Sequence, residues 1–172
     1  MDFNFKFLGA IEVAGIGGKL GSLDWGYFTH RQKVHEVHKE TLTVPLLFDQ
    51  GFSKINLYKD FGQFMRELEP VKKILSETLG KGYLQFALLV NLPAGKQVLR
   101  HVDLADGFKL FSRVHIPIQT NENCFFEVDG EVIHMKAGEV WEINNSEKPH
   151  AVQNLGDTDR IHLLLDWKGN KG

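Results

Sequence analysis

The chain has 172 residues, the size of one ordinary domain, so a single unit over 1–172 is the working organisation. Hydrophobic residues make up 42% and charged residues 24%, which argues against a disordered, fibrous or membrane-spanning chain and allows a real core. Lys and Arg number 20 against 22 Asp and Glu, a formal charge of -2, too balanced for nucleic-acid or membrane-surface binding through a global field.

Residues 3–13 alternate loosely, with Phe3, Phe5 and Phe7 against Asn4 and Lys6, the period-two pattern of a strand with one wet face. The start of the chain lacks the clustered positive charge of a secretory leader. Gly15–Gly21 is glycine-rich, but no Ser or Thr follows Lys19, so it reads as a connector and not a phosphate-binding loop. Residues 37–48 form the next strand, broken by Asp49-Gln50-Gly51. Asp60, with Gln63 three residues on, is a good helix N-cap, and Phe61, Phe64, Met65 and Leu68 share one helical face. Pro70 ends or kinks that helix, and a second short piece carrying Val71, Ile74 and Leu75 closes at Gly80.

Beyond Gly80 the pattern is almost entirely β: 83–92, 109–119, 123–128, 131–136, 139–144, 150–154 and 160–167, with Asp129-Gly130 as a two-residue hairpin turn. Strands this close together predict a mainly β, antiparallel sandwich or barrel, with a few helices packed on one outer face. The single cysteine, Cys124, excludes an internal disulfide and a Cys-rich metal site and fits a reducing compartment such as the cytoplasm. No run approaches the roughly 18 apolar residues of a membrane-spanning helix.

His101-Val102-Asp103 sets an imidazole and a carboxylate two residues apart, where extended backbone projects both to one side. A third ligand would complete the 2-His-1-carboxylate set that holds ferrous iron with positions left open, and His150, after Pro149, is the candidate. The competing reading is a structural or surface role for all three. In the last strand Arg160, His162 and Leu164 face one way, while Ile161, Leu163, Leu165 and Trp167 form a core row. Arg160 on that opposite row could take a dicarboxylate bidentately.

Arg113 and His115 share a strand face, and two arginines converging at about 4 Å would repel by roughly 4 kcal/mol at an effective dielectric near 20 unless an anion joined them. The alternative pairs Arg113 with Glu127, Asp106 or another acid. Trp25, Tyr27, Arg31, His35 and His38 are polar or aromatic candidates for the mouth of a pocket, though each serves equally well in packing or solubility. Val34–His38 lacks zinc-protease spacing, and His30 and His134 have no evident partner.

The runs Gly138–Asn145, Pro149–Asn154 and Asp159–Trp167, preceded by Leu92-Pro93-Ala94-Gly95, His101 and Arg113-Val114-His115, resemble the aspartyl/asparaginyl β-hydroxylase family of 2-oxoglutarate oxygenases. The similarity covers roughly residues 83–167. It implies a double-stranded β-helix, the cupin-like jelly roll, binding Fe(II) through His101, Asp103 and His150. It also implies 2-oxoglutarate as co-substrate with O2, its distal carboxylate on Arg160 and its metal-proximal carboxylate near Arg113 and His115. The implied reaction decarboxylates 2-oxoglutarate to succinate and hydroxylates an unactivated C–H bond of an amino acid or peptidyl side chain of the proline, aspartate or asparagine type. Animal peptidyl aspartyl hydroxylases carry Gly where this chain has Asp103, whereas bacterial proline cis-hydroxylases keep His-x-Asp, so the resemblance favours the latter branch. The expected partner is a small-molecule or peptidyl substrate, with no nucleic acid or membrane. The alternatives are a non-catalytic cupin-like module that binds a metal or small molecule, and a metal-dependent isomerase or dioxygenase needing no 2-oxo acid; Arg160 discriminates against both.

Overall fold

The computed structural model describes residues 2–48, 54–103 and 109–169. Its strands are β1 (Phe5–Ala10), β2 (Leu42–Phe48), β3 (Asn56–Leu57), β4 (Gly82–Leu92), β5 (Gln97–His101), β6 (Ser112–Gln119), β7 (Cys124–Val128), β8 (Glu131–Ile133), β9 (Glu139–Ile143), β10 (His150–Asn154) and β11 (Arg160–Gly169). One sheet runs β1-β9-β6-β11-β4-β2-β3 and the other β5-β10-β7-β8. From β4 onward the chain passes back and forth between them, the β7–β8 hairpin staying in one sheet, with β4, β6, β9 and β11 in the large sheet and β5, β7, β8 and β10 in the small one. All the pairings are antiparallel, so these eight strands make a jelly roll.

The β7–β8 turn follows the sequence closely. Asp129 and Gly130 have φ of 52° and 87°, the left-handed pair of a two-residue hairpin turn. Gly138, at φ +84°, admits no side chain, because a Cβ there would lie 2.4 Å from the Ile11 carbonyl oxygen. That close approach lets the Ile11 amide donate to the Gly138 carbonyl at 2.9 Å and fixes β1 against β9.

The large sheet buries both faces. Its outer face carries Val44 and Leu46 of β2, Ala87 and Leu89 of β4, Val114 and Ile116 of β6, and Ile161, Leu163, Leu165 and Trp167 of β11, all packed in one cluster with a helix laid across them. The helix expected to break at Pro70 instead runs unbroken over Phe61–Leu79. Pro70 removes one backbone bond and can cost about 3 kcal/mol. Phe64, Leu68, Val71 and Leu75 are nevertheless buried in one stripe on both sides of it, each contributing roughly 1.5–3 kcal/mol, so burial wins. Met65, expected on that face, is exposed. Asp60 precedes the helix without capping its backbone; its carboxylate accepts from the Gln63 amide at 2.9 Å.

Other boundaries differ for local reasons. The stretch expected to start a strand at residue 37 opens instead within a 3-10 turn at Glu36–His38, which follows a short helix, α2 (His30–Val34), and β2 begins only at Leu42. Another one-turn helix, α1 (Ala14–Gly17), occupies the glycine-rich connector, and the long helix is α3 (Phe61–Leu79). The Asp49-Gln50-Gly51 break lies outside the described residues. The inner face of the large sheet opposes the small sheet, where Leu92, Val98, Phe126, Val128, Ile143 and Val152 close one end of the sandwich. Between the sheets lies the cavity that holds the site.

Candidate functional site

β10 runs between β5 and β7 in the small sheet, and His150 sits directly across from His101. Residues in that relation project from the same face, and the two rings lie 4.3 Å apart, centroid to centroid. Asp103 lies just beyond β5, and its amide donates to the Asn145 carbonyl at 3.1 Å. Potential ligand atoms of His101, Asp103 and His150 all fall within 4.8 Å of one another, and they are the cluster among the described residues able to hold a metal ion.

Each of the three is prepared to ligate. His101 Nδ1 lies 2.7 Å from the Leu99 carbonyl oxygen, which can only accept, so Nδ1 carries the proton and the Nε2 lone pair is free. That Nε2 is buried without a hydrogen-bond partner among the described residues and lies 3.6 Å from Asp103 Oδ1. His150 Nδ1 is likewise buried and unpartnered, and burial pushes the His150 imidazole down to about 4, so it is neutral at pH 7. Burial alone would raise the Asp103 carboxyl, but the Arg113 guanidinium, His150 and the Asn145 amide outweigh it and hold it at about 2. Its Oδ2 accepts from Asn145 Nδ2 at 2.6 Å and Arg113 Nη1 at 3.0 Å. The other oxygen is left facing His101.

The opposite wall is the inner face of β6 and β11. Arg160, His162 and Leu164 line the cavity, as do Arg113 and His115, while the alternate row of β11 is core. Asp166 continues the inward row and is the residue opposite Arg113 in the β6–β11 register. Arg113 grips both Asp166 oxygens, through Nε and through Nη2 at 3.1 Å. Its counter-ions are thus Asp166 and Asp103. Glu127, the partner weighed from sequence, is 3.3 Å from Arg100 instead, and Asp106 lies outside the described residues. The expected clash of two uncompensated arginines therefore does not arise, because Arg113 is neutralised within the fold.

Arg160 is different. It is buried and forms no ion pair with a carboxylate among the described residues. Its Nη2 donates to His162 Nδ1 at 2.9 Å, and the guanidinium lies over the Phe126 ring at 5.6 Å. Burial lowers it to about 9, still a cation at pH 7. Burial and the nearby Arg160 charge hold His162 and His115 well below the usual imidazole range, and His115 Nδ1 is buried without a partner among the described residues.

Of the mouth candidates, Arg31 and His38 reach the cavity. Trp25 and Tyr27 pack against the outer core instead, and His35 is exposed. His30 packs against Phe28 and Phe48, and His134 Nδ1 donates to the Cys124 carbonyl at 3.0 Å. Sequence reasoning passed over Asp166 and Asn145. Asp166 had a signal, an acid in phase with Arg160, His162 and Leu164; Asn145, in a loop, had none.

Known proteins resemble this chain in sequence and in fold. The profile described as Aspartyl/Asparaginyl beta-hydroxylase matches residues 27–169. An L-proline cis-4-hydroxylase of Rhizobium meliloti (strain 1021) is 25% identical over 85 residues, 49% of this chain and 30% of that protein. An L-proline cis-3-hydroxylase of Streptomyces sp is 28% identical over 133 residues, 72% of this chain and 45% of that protein. This chain thus spans less than half the length of those curated relatives. The crystal structure of an oxidoreductase of the 2OG-Fe(II) oxygenase family from Burkholderia pseudomallei superposes with a TM-score of 0.70 at 14% identity, covering 94% of this chain and 79% of that one. At that identity the match speaks for the jelly-roll fold.

Proposed function

We propose, from the premise that this chain belongs to the aspartyl/asparaginyl β-hydroxylase family, that it is an Fe(II)- and 2-oxoglutarate-dependent oxygenase. Its reaction consumes 2-oxoglutarate, O2 and a substrate C–H, and yields succinate, CO2 and the corresponding alcohol. The substrate is an amino acid or peptidyl side chain, with the proline type favoured by the two curated relatives.

One observation carries the reading: a three-donor cluster and a buried guanidinium with no carboxylate partner among the described residues line the same cavity. His101, Asp103 and His150 would hold Fe(II). The fit rests on two buried imidazole nitrogens without partners and a carboxylate with one oxygen uncommitted, the deprotonated donor set a divalent ion requires. Bound there, the metal supplies activation of O2 coupled to oxidative decarboxylation of the co-substrate. The protein supplies the rest. Arg160 receives the distal carboxylate of 2-oxoglutarate through its fork of donors. His115, with a free Nδ1, lies on the cavity wall as a hydrogen-bonding group for the proximal carboxylate, and Arg113 keeps Asp103 ionised and aimed. Val90, Phe126, Val152 and Leu164 in the lining keep water out, which strengthens every charge interaction inside.

The direct test incubates the protein with Fe(II), 2-oxoglutarate, ascorbate and a panel of amino acids and peptides, following succinate and a mass gain of one oxygen. Succinate from wild type and none from Asp103→Ala supports the assignment. Metal binding with no succinate from any substrate would favour the non-catalytic module instead.

A further inference from the structure

Arg160 stands at a partition. Together with His162 and Phe126 it lines the main cavity and also a smaller space bounded by Thr120, Cys124, Phe125 and Met135. That second space measures about 10 Å³, room for about one water. No carboxylate among the described residues pairs with the guanidinium. Two contacts hold it instead: the Phe126 ring at 5.6 Å and the hydrogen bond from Nη2 to His162 Nδ1 at 2.9 Å. A ring face attracts a cation without fixing where its N–H groups point, so the directional restraint is the hydrogen bond.

The choice of partner is informative. Arg113 and Asp166 form a charge pair across β6 and β11, which neutralises Arg113 within the fold. His162, two residues beyond Arg160 on the same face of β11, is buried and neutral. A guanidinium cannot accept, so His162 Nδ1 must, and the ring carries its proton on Nε2. Such an acceptor fixes the direction of Arg160 and leaves its charge for an incoming anion. The tether has work to do, because a free arginine side chain loses rotamer freedom whenever it binds. Beside a water-sized space, an untethered guanidinium also has room to shift by the roughly 1.5 Å that one further carbon adds to a chain.

We infer that His162 is a positioning residue that fixes Arg160 and thereby sets the length of 2-oxo diacid the cavity accepts, favouring 2-oxoglutarate over 2-oxoadipate, its homologue with one more methylene. The inference rests on the oxygenase reading, which supplies the co-substrate, and goes beyond it in giving co-substrate selection to a residue that neither ligates the metal nor carries the charge.

The test is calorimetric and needs no turnover. Under anaerobic conditions, protein loaded with Mn(II) is titrated with 2-oxoglutarate and with 2-oxoadipate. Wild type should bind 2-oxoglutarate about tenfold or more tightly than 2-oxoadipate. His162→Ala should weaken 2-oxoglutarate by about tenfold and bring the two diacids within about threefold of each other, while Mn(II) affinity stays within about twofold of wild type. His162→Asn, whose side-chain oxygen replaces Nδ1 as acceptor, should restore most of the preference, and His162→Leu, which fills the space without an acceptor, should not. A packing role alone would give the reverse order. A preference that survives both His162→Ala and His162→Leu, equal losses in His162→Asn and His162→Leu, or a wild type that binds the two diacids alike would each overturn the assignment. Wild type also decides the matter without any variant: its ¹⁵N NMR spectrum should show His162 with Nδ1 unprotonated and Nε2 protonated, and a protonated Nδ1 would overturn the assignment even if the variants do not fold. Wild type that binds Mn(II) but neither diacid would instead fail the oxygenase reading itself.

Discussion

In the proposed assignment Asp103 would make a good metal ligand because its two oxygens have different surroundings: Oδ2 takes hydrogen bonds from Asn145 and Arg113, and Oδ1 remains toward His101. Groups that orient a ligand typically contribute 10–100-fold to metal affinity. Asn145→Ala should therefore weaken Mn(II) or Fe(II) binding by about tenfold in a competition titration; unchanged affinity would mean that Arg113 alone orients the carboxylate. Arg160→Lys keeps a charge but loses the planar fork, and we expect 2-oxoglutarate affinity to fall by about tenfold, with Arg160→Ala falling further. Equal affinity in Arg160→Lys would place the distal carboxylate elsewhere. At this scale the sequence was legible where chemistry and period coincide. His-x-Asp and the inward row beginning at Arg160 needed only strand alternation, and extending that row one step past Leu164 would have reached Asp166. Asn145 was not legible, since its place depends on the β9–β10 loop meeting the end of β5, a contact set by tertiary structure. For the same reason Arg113 could be read as a cavity-facing cation but not matched to its two aspartates.

α3 shows how burial overrides local preference at the scale of an element. Pro70 is exposed, so its ring fills no space in the core, while it still lacks an amide proton within a helix. Replacing it by Ala should raise stability by about 1 kcal/mol or more, a helix-interior gain of up to about 3 kcal/mol reduced by the entropy that Pro withholds from the unfolded chain. Urea unfolding measures this; a lower midpoint for Pro70→Ala would show that the proline relieves strain. The strands from β4 on were largely visible in period and turn chemistry, most of all β7 and β8 around Asp129-Gly130. β5 was not visible as a strand. Gln97 and Arg100 give it a polar, irregular pattern, and it is extended because β10 hydrogen-bonds to it, which is also what sets His101 against His150.

The whole molecule encloses ionisable groups between two sheets, and that enclosure has a pH signature. His38 is held at about 2, and His115 and His162 well below their usual range, by burial and neighbouring guanidinium charge. Their unfolded values sit near 6.5, so below that pH the unfolded chain binds protons that the folded one refuses. The resulting stability is full above about pH 6.5 and is lost as pH falls, by up to about 1.4 kcal/mol per pH unit for each fully buried imidazole. The urea midpoint of metal-free protein should drop steadily from pH 7 to pH 5, and His162→Gln should flatten the slope. A midpoint that rises over that range would contradict neutral burial. The double-sheet architecture and the helices on one outer face were readable from strand density and from the α3 stripe. The cavity was not, because it arises where inner rows from separate strands leave space unfilled.

A crystal soaked anaerobically with Mn(II) and 2-oxoglutarate, with the anomalous signal of the metal recorded, bears most directly on all of this. We predict one strong peak ligated by His101, Asp103 and His150, with the far carboxylate of 2-oxoglutarate against Arg160. A peak at any other set of side chains, or a co-substrate turned away from Arg160, would contradict it.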